Sequence, residues 1–240
     1  TEASPDTPLY EVLQKLGLPA GTTILAAKTY AGIHELSAPV NGHTHFQLLS
    51  WEDPEGKYVF WHSSAHILAE ALEHFWPDCK LTIGPPIEQG FYYDVDFGGN
   101  GPSPGDFEKI EKKFLELAAQ PEYFVRSAVT REEALAYYEK RKNPYKQEII
   151  RELPPDAEIT FYRSGGFVDL CRGPHLWHSG VIKAVKVLSL AGAYWRGDSR
   201  NPQLTRVYAI SFPSQEELEA YLHQLQEAAR RDHRLLGRQL

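Results

Sequence analysis

Two short patterns make the heaviest demand on the fold of this chain: His62-Ser-Ser-Ala-His66 and Cys171-Arg-Gly-Pro-His175. The first opens a run in which Ala65, Leu68, Ala69, Leu72, Phe75 and Trp76 recur at helical spacing until Pro77. Its two histidines sit one turn apart on one flank of that apolar stripe, so both rings can reach a single object at the edge between core and solvent. The second pattern lies in a loop stiffened by Pro and Gly. A fold that joins them gathers three imidazoles and a thiol, the number of donors a tetrahedral zinc takes. The same groups can act without metal, as bases and hydrogen-bond donors toward an ester carbonyl. They can also be a boundary histidine bonded to backbone and a cysteine packed as a small hydrophobe. The spacing alone leaves all three open.

The 240 residues allow one large domain or two smaller ones, and 42% apolar with 24% charged residues is ordinary globular composition. No window approaches the ~18–20 apolar residues of a membrane helix, and the start carries no secretory pattern. Cys79 and Cys171 are too few for a disulfide scaffold, which favours a reducing, cytoplasmic setting. Methionine is absent even at position 1, so a processed or excised piece of a longer product is expected. A net charge of -7 speaks against a polyanion partner, yet it is uneven. Residues 1–61 hold seven acids against three lysines, whereas Lys140, Arg141, Lys142, Lys146 and Arg151 crowd one stretch and Arg230, Arg231, Arg234 and Arg238 another. On charge alone these are solvated helix faces.

Residues 1–61 read as a small α+β unit. A helix is expected over Tyr10–Leu16, strands over 22–28, 33–40 and 44–49 with an Asn41-Gly42 hairpin, and a Glu55-Gly56 turn into a strand at Tyr58–Trp61. Strands follow at Lys80–Ile83 and Gly90–Asp96, around Gly84-Pro85-Pro86. Asp106 caps a helix, Thr130 and Glu133 form a capping box, and Asn143-Pro144 opens another helix with Lys146 in its first turn. An amine at that positive end would gather an anion or hold a lowered pKa. Further strands fit Glu158–Tyr162, Gly166–Leu170, Lys183–Ala193 and Leu204–Ile210, and Ser214 caps a long last helix. Cys79, His43, His45 and the other histidines carry no assigned role.

Taken together, HSSAH, IGPPIEQGFYYDVDF, NPYK, VDLCRGPH, AGAYWRGDS and EAARRDHRLLGRQL resemble, in this order from His62 to Leu240, the N-terminal region of threonyl-tRNA synthetases. The paired HxxxH and CxxxH are shared with alanyl-tRNA synthetase editing domains and their free-standing relatives. The resemblance implies an α+β chain in three parts. A small β-grasp (ubiquitin-like) unit at 1–61 precedes an α/β editing domain at 62–212, and a linker helix at 213–240 leads toward an absent class II core. It implies hydrolysis of seryl-tRNA wrongly made for threonine, with His62 and Lys146 positioning or activating water and the leaving hydroxyl. Asp169 would bind the seryl ammonium, Tyr93 would line the wall, and His66, Cys171 and His175 would shape the pocket. The acceptor end of tRNA(Thr) would run along Lys140, Arg141, Lys142, Lys183 and Lys186 with Tyr137, Tyr138 and Tyr145. No metal is required in this expectation, although zinc would fit His62, His66, Cys171 and His175. ATP and dimerisation belong to the absent core. The alternatives are a tRNA-docking appendix with an inactive pocket and a free-standing deacylase acting in trans.

Overall fold

The first histidine pair lies inside α2 (Pro54–Phe75), a helix of 22 residues that organises the molecule. This computed structural model describes residues 4, 6–17, 23–39, 45–120 and 122–236, the side chains of 232–236 excepted. Asp53 precedes Pro54, whose fixed φ suits the first helical position. Gly56 lets the helix start press against the Ser50 carbonyl, where any Cβ would collide. Val59, Phe60, Ala65, Leu68, Ala69, Ala71 and Leu72 are all fully buried, so the helix is enclosed on most faces rather than along one stripe. The edge position expected for His66 is therefore interior: its exposure is 4%.

Ahead of α2 stand α1 (Leu9–Leu16), β1 (Ala26–Thr29), β2 (Gly32–His34) and β3 (Gln47–Leu49). They form an antiparallel sheet of order β2-β1-β3. The first two strands turn at Tyr30-Ala31, and β3 pairs with β1 rather than with β2. The Asn41-Gly42 hairpin signal falls outside the described residues. The strand expected at Tyr58–Trp61 is instead helical, and Glu55-Gly56 lies inside the helix's first turn. A run such as Tyr-Val-Phe-Trp has no period of its own, and the Pro54 start decides it. Leu25, Ala26 and Leu49 share the main core with Val59 and Phe60, so this sheet packs onto the rest of the chain.

After α2 come β4 (Lys80–Leu81), β5 (Phe91–Asp96), α3 (Phe107–Ala119), β6 (Val125–Val129), α4 (Arg131–Lys140), α5 (Pro144–Glu152), β7 (Ile159–Ser164), β8 (Phe167–Leu170), β9 (Ala184–Tyr194), β10 (Gln203–Phe212) and α6 (Gln215–Leu236). They build two more antiparallel sheets, β4-β5-β10-β9 and β6-β7-β8. Strand β6 has no signature in the sequence: four of its five residues are exposed, leaving no alternation to read. The architecture is α+β. Ser64, bonded to the Phe60 carbonyl, accepts from Ser211 at 2.7 Å and ties α2 to β10 without an orphaned hydroxyl. Among the described residues no helix is long and apolar enough to cross a membrane.

Candidate active site

α2, β5, α5, β8 and the loop after β8 converge on one cavity of about 370 Å³, in the size range of small-ligand sites. His62, His66, Tyr93, Lys146, Asp169 and Cys171 all line it. His175 stands behind that wall, fully buried. The Asn143 side chain accepts from the Lys146 amide at 3.1 Å, which fixes the start of α5 and directs the lysine inward. There it meets an anion, the Asp169 carboxylate. Lys146 Nζ lies 2.6 Å from Asp169 Oδ1, with both side chains 5% exposed or less. Asp169 Oδ1 also accepts from the Tyr138 hydroxyl at 3.0 Å and from the Leu170 amide at 2.9 Å. Its Oδ2 accepts from the Tyr93 hydroxyl at 2.6 Å.

The histidines and Cys171 form the other half. Their four ligand atoms lie within 4.8 Å of one another. His62 Nδ1 can only donate to the Pro174 carbonyl, 3.2 Å away, so in the neutral ring Nε2 carries a lone pair. That Nε2 is 3.2 Å from Cys171 Sγ. Ser63 Oγ donates to the Val59 carbonyl and accepts from the Leu176 amide, which leaves His175 Nδ1 to donate to it at 3.1 Å. His175 Nε2 then also turns a lone pair on Sγ, at 3.2 Å. One thiol proton cannot satisfy two acceptors. The residues therefore fit a cation: each of these two rings is oriented by a hydrogen bond on its far nitrogen, as metal-bound histidines are. This group can hold a metal, and its donor set suits zinc.

Burial sets the charges. It pulls His62 down to about 4 against the opposing effect of the Pro174 carbonyl and Asp169. It takes His66 to about 3 and His175 well below its ordinary value. Burial pushes the Cys171 thiol up to about 12. Burial would raise Asp169 as well, but Lys146, His66 and the hydrogen bonds outweigh it and hold the carboxyl below its usual range. Tyr93 and Tyr138 are raised by burial and by the Asp169 charge. At neutral pH the site thus presents neutral imidazoles, a protonated thiol and one ion pair. A thiolate nucleophile is disfavoured; orienting water and polarising an ester are not.

Gly173 has φ +71°, and a Cβ there would strike the Tyr162 hydroxyl. Tyr162 in turn donates to Glu35 at 2.9 Å, so a residue just after β2 braces the loop that carries Cys171 and His175. Tyr138, Ser63, Arg172 at the rim and the Gly84–Pro86 wall also belong to the site, a role that the sequence reading does not assign to them. The expected RNA track is not gathered in the same way. Lys140 and Lys142 are exposed at the end of α4, but Arg141 pairs with Glu73. Lys183 is exposed in the connection just before β9, and Lys186 pairs with Glu111 at 3.0 Å. Tyr138 and Tyr145 are buried, with hydroxyls committed to Asp169 and Asp96, so neither can stack on a base.

Residues 159–208 match the family model of the threonyl and alanyl tRNA synthetase second additional domain. The threonine–tRNA ligase of Cytophaga hutchinsonii is 53% identical over 217 residues, 90% of this chain and 34% of the relative. That of Parabacteroides distasonis is 46% identical over 239 residues, 100% of this chain and 37% of the relative. That of Syntrophomonas wolfei is 46% identical over 232 residues, 97% and 36% respectively. The chain spans about a third of the length of these relatives. Matched along nearly all of its length, this chain is a relative of the threonine–tRNA ligases and carries the second additional domain of threonyl and alanyl tRNA synthetases.

Proposed function

We propose that the chain hydrolyses the ester joining serine to the terminal ribose of tRNA(Thr), as the proofreading part of a threonyl-tRNA synthetase. The observation that carries this reading is the convergence of His62, His66, Tyr93, Lys146, Asp169 and Cys171 on one small cavity, in a chain related to threonine–tRNA ligases. The need is physical. Threonine exceeds serine by one methyl group, which a synthetic pocket can weigh at only ~1–3 kcal/mol, so a second site must remove the serine errors.

In this scheme water attacks the seryl carbonyl carbon, and the ribose oxygen leaves with a proton. His62 orients the water and Lys146 stabilises the leaving hydroxyl. With its imidazole held near 4 by burial, His62 works mainly by orientation rather than as a strong base. The seryl ammonium meets Asp169 at Oδ2, which accepts from Tyr93 alone, whereas Oδ1 already accepts three donors. His66, Cys171 and His175 hold the wall that leaves no space for the extra methyl. No metal is required for these steps. If zinc is bound, His62, His66, Cys171 and His175 hold it and it supplies Lewis acidity toward a water or carbonyl oxygen. The three-part division at 1–61, 62–212 and 213–240 remains our proposal for the domains, with the note that α2 runs across its first boundary.

The test is deacylation of seryl-tRNA(Thr) by the chain and by His62→Ala and Lys146→Ala. A fall of about 10²-fold or more is expected for each. Binding of tRNA without hydrolysis by the unaltered chain would make it a docking appendix instead.

A further inference from the structure

We propose that a second cleft, next to the candidate site, holds the nucleotides that precede the terminal nucleoside of the RNA 3′ strand. This rests on the reading above for the identity of the strand. The cleft has a volume of about 760 Å³ and lies between the N-terminal sheet and the loop that follows β8. Its floor is aromatic: Trp177 stacks on Tyr10 with ring centroids 4.3 Å apart and planes 12° from parallel. Tyr123 lies 5.4 Å from Trp177 and is 52% exposed, a large ring left open to solvent beside that stack. Exposed aromatic faces of this kind take unpaired bases without regard to sequence.

Charge marks the route between the two cavities. Arg172, in the loop of Cys171 and His175, lines both of them. Among the described residues its side chain is exposed and enters no ion pair or hydrogen bond, so its guanidinium is free for a phosphate. Beside it, Arg126 on the wall of the cleft pairs with Glu158 on the wall of the smaller site, so the ridge between the two is built of charged groups. The acid among the described lining residues, Glu35, is turned to Tyr162 and the His175 amide and leaves the cleft free of an open carboxylate. A strand whose last nucleoside enters the smaller site passes its next phosphate over Arg172 and its next bases onto Tyr123 and Trp177. The lysines at the end of α4 then contribute only a diffuse attraction.

The test uses two non-hydrolysable ligands: an acceptor-stem RNA ending in seryl-amide, and the seryl-amide of adenosine alone. Tyr123 lines this cleft alone, so Tyr123→Ala is expected to weaken RNA binding by about 10-fold and nucleoside binding by less than about 2-fold, and Arg172→Ala to weaken RNA binding by about 10-fold. Arg172→Ala should also reduce the slope of log affinity against log salt by about 0.7, one single-strand phosphate contact. Equal losses on both ligands with Tyr123→Ala, no loss on either, or no RNA binding by the unaltered chain would overturn the assignment. The expected binding pattern without hydrolysis of the natural ester would sink the proposed activity and keep the cleft. Hydrolysis with undisturbed binding would do the reverse.

Discussion

Lys146 Nζ and Asp169 Oδ1 stand 2.6 Å apart in a place that solvent barely reaches, and this pair joins the start of α5 to the end of β8. An ion pair this deep has a large desolvation cost, recovered only because the carboxylate accepts from Tyr93, Tyr138 and the Leu170 amide as well.

Removing both partners should therefore cost less than the two single losses added together. Lys146→Met and Asp169→Asn are each expected to cost about 3–5 kcal/mol by leaving a buried charge alone, and the double variant less than their sum. Denaturant unfolding of the four proteins checks this. Strict additivity would mean the pair is not coupled.

Acid should destabilise the chain earlier than its carboxylates alone would. His62, His66 and His175 have folded pKa values below the unfolded value, so they stay neutral in the native state while the unfolded chain takes up protons below about 6.5. Their contribution is present above that pH and is lost as the pH falls toward 4 and 3. Asp169, also depressed, adds a loss in the same direction at lower pH, below its unfolded value. In chelator-treated protein, His66→Gln should reduce the slope of stability against pH between about 6 and 4 by up to ~1.4 kcal/mol per unit. An unchanged slope would show that His66 is not buried neutral.

Glu70 gives the opposite sign. Burial, with Glu122 and Glu73 nearby, raises it to about 7, so the native state favours its protonated form. That stability is complete below about 4.5 and is lost as the pH rises through about 7. Glu70→Gln should stabilise the chain at pH 8 by about 1–2 kcal/mol, allowing for partial exposure and screening, and by almost nothing at pH 4. Urea midpoints at the two pH values decide it.

Gly173 is the tightest point of the loop. Gly173→Ala should lower deacylation by displacing Cys171 and His175 from the wall, and should cost about 1–3 kcal/mol from its positive φ. Adding Tyr162→Phe removes the nearest colliding atom, although the ring Cζ would still stand 2.7 Å from the new Cβ, and should restore part of the activity but not the backbone cost. No recovery would place the damage elsewhere.

The metal can be settled by elemental analysis after chelator dialysis, read alongside deacylation. Activity without metal is expected. Stoichiometric zinc whose removal abolishes hydrolysis would show that the convergent lone pairs of His62 and His175 serve a bound cation.

Much of the site was legible because its residues come in local patterns. Helical spacing placed His62 and His66 on one face, and the Asn143-Pro144 cap placed Lys146 in a first turn. What the sequence could not show was tertiary. Tyr138 read as one aromatic on a basic helix, yet it is buried against Asp169 because α4 packs its inner face on β7 and β8. Glu35 read as part of an acidic first unit, yet it crosses to Tyr162. Tyr58–Trp61 read as a strand because a short apolar run fits either state until its flanks are weighed.

The most direct test compares the rates at which the unaltered chain deacylates seryl-tRNA(Thr) and threonyl-tRNA(Thr). Serine should be released at least about 10-fold faster, since the pocket wall must exclude a single methyl group. Equal rates, or hydrolysis of neither ester, would contradict an editing site built on His62, Lys146 and Asp169.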